Sequence, residues 1–212
     1  MTGDLIYLRN LDVRGVAGLL AIGFRFTDDP VDPWTARFNA FKYGEGGAIS
    51  GACRVLPACL AARRGGDTRV VMVAAISSHE TQAPPDAPIS ILGSAITDAT
   101  DWEWRPDLLS KEPHRPLHGL RSAEERDAEV ANRYTAREVS GQAGAFLILD
   151  DICTRGSTLA EITRALREFN PTWRTYGLVL AKSENRSWWS GQGEDISNSH
   201  IPDHLVELWD GE

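Results

Sequence analysis

The hydrophobic positions of the chain fall into two kinds of run. Arg69–Ile76, Ala145–Leu149 and Thr175–Ala181 are dense in Val, Ala, Ile and Leu with little polar alternation. That is the mark of strands buried on both faces, as in a parallel sheet. Leu159, Ile162, Leu166 and Phe169 recur instead at helical spacing and predict a helix from about Thr158 to Phe169, stopped by Pro171. Ile49, Cys53, Leu56 and Leu60 predict another over Gly47–Arg63. Pro57 opposes it, since an interior proline costs roughly 3 kcal/mol. Leu5–Leu11 and Leu19–Phe26 predict short strands, paired as a hairpin, followed by a turn over Thr27–Pro33. Trp34–Tyr43 is ambiguous on pattern alone.

Ser77–Pro88 reads as a loop, and Ile89–Thr97 as the start of a helix. Trp102–His118, with three prolines and two tryptophans, is an irregular excursion. Ser122–Glu138 is charged and helical, with a capping box between Ser122 and Glu125; Thr158 and Glu161 match a second box. The succession of buried strand, loop, helix and buried strand after Ala145 is a βαβ unit. It implies an α/β fold with a central, mostly parallel sheet flanked by helices.

Length and charge narrow the function classes. The 212 residues suit one sizeable α/β domain, or one domain plus an appendage. The expected division is an N-terminal segment or hood over residues 1–45, a core over 46–182, and a tail over 183–212 packed on that core. No apolar run is long enough to span a bilayer, and the start, Met1-Thr2-Gly3-Asp4, lacks the basic head of a signal peptide. A cytoplasmic protein is therefore expected. The net charge of −8 gives no strong nucleic-acid signal. The three cysteines form no CxxC pair, which excludes a zinc ribbon on spacing. Most of the seven tryptophans are expected in the core or at an interface. A Trp-rich surface including Trp188 and Trp189 could serve a homodimer or a partner protein.

The chemistry concentrates after the Ala145–Leu149 strand. Open α/β sheets bind ligands at the carboxyl ends of their strands, and Asp150 and Asp151 stand there. The Thr154–Thr158 loop that follows is rich in hydroxyls and opens a helix. A helix start offers free N–H groups and the positive end of a dipole to a phosphate. Thr154, Ser157 and Thr158 add donors, and Gly156 permits a close backbone approach. Two carboxylates beside a phosphate seat suit the hydroxyls of a ribose. A 5-phosphorylated sugar is the expected ligand.

The run Leu147-Ile148-Leu149-Asp150-Asp151-Ile152-Cys153-Thr154-Arg155-Gly156-Ser157-Thr158-Leu159 resembles the ribose-phosphate loop of the type I phosphoribosyltransferases. Phe41-Lys42-Tyr43-Gly44-Glu45, and Leu117-His118-Gly119-Leu120 with Ala123-Glu124-Glu125-Arg126 and Tyr134, are similar to segments of the ComF-like branch of that family. The resemblance implies the type I fold with a small hood, and phosphoribosyl pyrophosphate or a nucleotide as ligand. It implies Mg²⁺ as cofactor, with Asp150 and Asp151 as the catalytic pair that holds the ribose and the metal. Thr154, Arg155, Gly156, Ser157 and Thr158 would wrap the 5-phosphate. Ser77, Ser78 and His79 would occupy the pyrophosphate loop.

The chain departs from the family at two places. It lacks the four-cysteine zinc ribbon that often precedes ComF-like domains. Ser77-Ser78-His79-Glu80 carries no Lys or Arg, and Glu80 has the wrong sign for pyrophosphate. Transfer of the phosphoribosyl group to a base is therefore set beside a second reading, a weakly active or inactive phosphoribosyl or nucleotide sensor or adaptor in a DNA-processing or defence system. A structural subunit that docks through its tryptophans is a third. Lys111, Arg115 and Arg121 are candidate lid cations. Arg126 could support the site. Cys153 could act as a redox brake, but a small filler residue is the simpler expectation. His200 and His204 have the spacing of metal ligands, against which Pro202 argues.

Overall fold

The computed structural model describes residues 4–8, 11–63, 68–116, 120, 122–141, 143–187 and 201–211. Its main sheet has six strands in the order β1 (Ile6–Tyr7), β2 (Gly18–Phe26), β8 (Arg174–Glu184), β7 (Ala145–Cys153), β3 (Val70–Ala74) and β4 (Glu103–Trp104). Every neighbouring pair is parallel except β1 with β2. The fold is thus α/β with a mostly parallel sheet between helices. The expected hairpin is the antiparallel β1–β2 pair. Residues of the N-terminal segment do more than cover the core, because β2 runs parallel to β8 inside the main sheet.

The unalternating runs are explained by burial of both faces. On β3, Met72 enters one core cluster while Val71 and Val73 enter the other. On β7, Leu147 and Leu149 face the first, Phe146 and Ile148 the second. The first cluster is closed by α1 (Pro33–Lys42), α2 (Gly46–Leu60), α3 (Pro88–Thr100) and α6 (Asp203–Asp210). The second is closed by α5 (Ser157–Phe169), which buries Leu159, Ile162 and Leu166.

Several local expectations change. α2 continues through Pro57, which is itself buried with Val55, Leu56, Cys59 and Leu60. Tertiary burial along one face of the helix outweighs the local proline penalty. The helix expected over Ser122–Glu138 ends early: α4 spans Ala123–Val130, Asn132 turns the chain at φ 58°, and β6 (Tyr134–Ala136) follows. β6 pairs antiparallel with β5 (Leu109–Lys111), so the excursion carries a small second sheet. The Ser122–Glu125 capping box is present.

The tryptophans are largely structural. Trp104 lies over Gly93 of α3, where a β-carbon would come within 2.6 Å of its ring. Trp173 stacks on Phe146 at 4.6 Å between ring centroids. Trp209 of α6 meets Trp34 and Phe38 edge-on and fills the space that Gly51 leaves on α2. Arg54 completes the joint by donating to the Leu208 carbonyl at 2.8 Å and to that of Trp209, at the negative end of α6. Trp188 and Trp189 lie outside the described residues. No described helix is long and apolar enough to cross a membrane.

Candidate functional site

β7 runs further than its apolar residues. Its pairing with β8 continues to Cys153 opposite Lys182, so Asp150 and Asp151 sit within the last turn of pleat rather than beyond the strand. The Asp150 carboxylate accepts the Asp151 amide at 2.9 Å, and the Asp151 carboxylate accepts the Ile152 amide at 2.6 Å. Burial, followed by the neighbouring Asp151 charge, pushes Asp150 well above the usual carboxylate range. The Lys42 ammonium, from the last turn of α1, opposes that shift. In the sequence, Lys42 stands out only within Phe41-Lys42-Tyr43-Gly44-Glu45. Nothing local in the chain marks it as facing the acids.

Beyond the acids, Thr154 and Arg155 are exposed and Gly156 is buried. Gly156 adopts a left-handed conformation, φ 83°, and serves as the N-cap of α5. The helix begins at Ser157, one residue earlier than predicted, and no side chain caps it. The capping box expected between Thr158 and Glu161 therefore does not form. Glu161 is instead buried, accepting from Arg164 at 2.9 Å and from the Tyr134 amide at 3.4 Å. The first turn of α5 holds no acidic residue. Its Ser157 and Thr158 side chains are half-exposed.

The loop after β3 emerges beside the acids, since the Ala75 amide donates to the Leu149 carbonyl at 2.8 Å. Ser77 and His79 are exposed, and His79 Nε2 lies 3.5 Å from Glu80. The excursion grips this loop from behind. Lys111 Nζ donates to the carbonyl of Ile76 at 2.8 Å and to that of Ser77. The Lys111 amide donates to Thr81, and the His114 amide to Ser78 at 2.8 Å. The Tyr134 hydroxyl accepts from the Ile76 amide and donates to the Ile76 carbonyl. Lys111 is thus buried under the loop. Burial lowers its pKa to about 8, opposed by Glu80.

The other candidates divide clearly. Arg115 is held by Glu129 through bonds of 2.6 and 3.0 Å, and Arg126 donates to the Leu120 carbonyl at 3.0 Å. Arg121 and His200 lie outside the described residues, while His204 lies 3.3 Å from Asp4. Cys153 is buried, and desolvation pushes its thiol up to about 12; a thiol so held is a filler rather than a reactive group. No group of three or more potential metal ligands occurs among the described residues.

No family model matches the sequence, and comparison with curated proteins gives no match. Among solved structures, the chain is similar to the glutamine phosphoribosylpyrophosphate amidotransferase from B. subtilis complexed with ADP and GMP. The identity is 18% over 76% of this chain and 34% of that one, with a TM-score of 0.39. An allosteric regulatory enzyme of purine biosynthesis gives 19% identity over 76% and 33%, with a TM-score of 0.38. A hypoxanthine phosphoribosyltransferase from Staphylococcus aureus gives 17% identity over 65% and 73%, with a TM-score of 0.35. The chain spans about a third of the length of the first two of these structures.

Proposed function

We propose that the chain binds phosphoribosyl pyrophosphate at the carboxyl ends of β7 and β3 and acts as a phosphoribosyltransferase. The observation that carries this reading is the sequence of parts at one strand end: paired acids, a left-handed glycine, and a helix start without a side-chain cap. Asp150 and Asp151 would orient the ribose hydroxyls. The amides of the α5 first turn, with Thr154, Arg155, Gly156, Ser157 and Thr158, would hold the 5-phosphate. Ser77, Ser78 and His79 would line the pyrophosphate half. Holding the sugar and leaving group in one geometry is the main contribution such a site makes to glycosyl transfer.

The donor set fits Mg²⁺. The ion is commonly bound by one or two carboxylates, with water and substrate phosphates completing its shell. Asp150 and Asp151 supply such carboxylates, and the rise in the Asp150 pKa is the response of a half-buried pair of like charges that a cation would reverse. When bound, the ion would neutralise charge on the departing pyrophosphate.

A second reading, ligand sensing without turnover, is favoured by one feature: the Ser77–Glu80 loop has no cationic side chain of its own and contains an acid. The two readings are separated by calorimetry and product analysis. Phosphoribosyl pyrophosphate, ribose 5-phosphate and AMP are each titrated with Mg²⁺, and pyrophosphate release is followed with a panel of nucleobases. Sustained release with any base supports the transferase. Tight binding without release supports the sensor, and absence of binding by all three contradicts both.

A further inference from the structure

A cation missing from the loop after β3 is supplied from 34 residues away. Lys111 reaches that loop from β5, and its ammonium lies on two successive carbonyls, Ile76 and Ser77. Among the described residues it makes no ion pair. Glu80 from the loop and Tyr134 from β6 face it, the latter with its ring centroid 5.8 Å from Nζ, and His114 follows on its own segment. The described peptides are all trans. In a planar trans peptide the carbonyl and the next N–H point opposite ways. Drawing the Ile76 and Ser77 carbonyls toward the ammonium therefore turns the Ser77 and Ser78 amides away from it; the Ser77 carbonyl also accepts the Glu80 amide at 3.0 Å. Those two amides donate to no other group among the described residues. Successive free amides in a turn, here the one closed by the Glu80 amide on the Ser77 carbonyl, are donors that an anion can take up.

We propose that Lys111 is a positioning residue that aims the Ser77 and Ser78 amides at a pyrophosphate group, and thereby sets the preference for a pyrophosphorylated over a monophosphorylated ribose. This rests on the reading of the strand ends as a phosphoribosyl pyrophosphate site. The buried charge also offsets Glu80, the loop's one acid. The ammonium does not touch the ligand; it acts through the peptides it holds.

The test compares phosphoribosyl pyrophosphate with ribose 5-phosphate, each with Mg²⁺, on wild type and K111M. The ratio of the two affinities is the readout. K111M is expected to lose roughly tenfold or more of the preference for the pyrophosphate, the order of a lost charge-assisted bond set, with ribose 5-phosphate affinity unchanged. A general structural defect would lower both. In wild type the preference is expected to fade between about pH 7 and about pH 9, as the ammonium loses its proton, and K111M is expected to show no such fall. Tyr134 stays protonated across that window, because burial raises its pKa. A preference retained in K111M, or flat with pH in wild type, overturns the proposal. If K111M does not fold, the wild-type pH series decides. Wild type that binds ribose 5-phosphate without preferring the pyrophosphate sinks the role of Lys111 and leaves the phosphate seat standing. Wild type that binds neither sinks both.

Discussion

A β-carbon built on Gly156 would lie 2.5 Å from Cγ2 of Val13, a residue of the N-terminal segment. Gly156, the glycine of the proposed phosphate seat, is therefore fixed twice, by its left-handed φ of 83° and by the side chain behind it. The left-handed conformation alone costs a residue with a β-carbon roughly 1–2 kcal/mol. Gly156→Ala is expected to lose at least that in urea unfolding and to weaken ligand binding. Adding Val13→Ala should restore part of the stability, since it removes the two nearest atoms, Cγ2 and Cγ1, and leaves Cβ at 3.3 Å and the strained backbone. No recovery in the double variant would show that Val13 does not constrain the loop.

The half-buried Asp150 carboxyl gives a stability prediction of unusual sign. The folded-state pKa of Asp150 is raised, first by burial and then by Asp151. The folded protein then binds more protons than the unfolded chain between the ordinary aspartate pKa and the raised one. Its contribution is most favourable below that window and is lost as pH climbs through it. Asp150→Asn removes the cost and is expected to raise Tm by a few degrees near neutral pH while weakening ligand binding. Such opposition of stability and function is common where a site holds an unfavourable charge. A lower Tm for the variant, measured without ligand, would count against an unfavourable charge at Asp150.

The βαβ unit around the acids was legible because its information is local. The apolar run of β7 and the stripe of α5 are read from neighbours in sequence. The extension of β7 through Asp150 and Asp151 was not, because it comes from pairing with β8 and nothing in the polar residues themselves announces it. β6 was hidden inside a charged stretch, although Asn132 followed by Tyr134 and Thr135 is a turn-and-strand signal that could have been weighed. The grip of Lys111 on the loop after β3 joins residues 34 and 35 positions apart and leaves no periodic trace. Ser77–Glu80 carries no Lys or Arg of its own, and the ammonium that reaches it comes from β5.

The joint between α6 and α2 is expected to matter for stability more than for binding. Trp209 is 3% exposed and packs on Trp34, Phe38 and the gap at Gly51. Trp209→Ala should cost about 3–5 kcal/mol, the range for a large buried aromatic. Chemical denaturation measures it. Phosphoribosyl pyrophosphate affinity in the folded variant is expected to stay near that of wild type. A loss of under about 1 kcal/mol would mean that α6 does not hold this position in solution.

Thiol chemistry tests the assignment of Cys153 as a filler. Desolvation holds both Cys59 and Cys153 near 12. Neither is expected to react with a disulfide reagent at neutral pH until denaturant is added, when all three cysteines become available. Rapid labelling of Cys153 in the native protein, located by peptide mass spectrometry, would instead support a redox role for the loop.

Asp150 and Asp151 are proposed to build a ribose site at the end of β7. The most direct test is the titration of phosphoribosyl pyrophosphate with Mg²⁺ into wild type and the Asp150→Asn, Asp151→Asn double variant, with cooperative unfolding checked in the same samples. The expected result is saturable binding by wild type and none detectable by a folded double variant. Equal binding by the two proteins would place the ligand elsewhere and contradict the account.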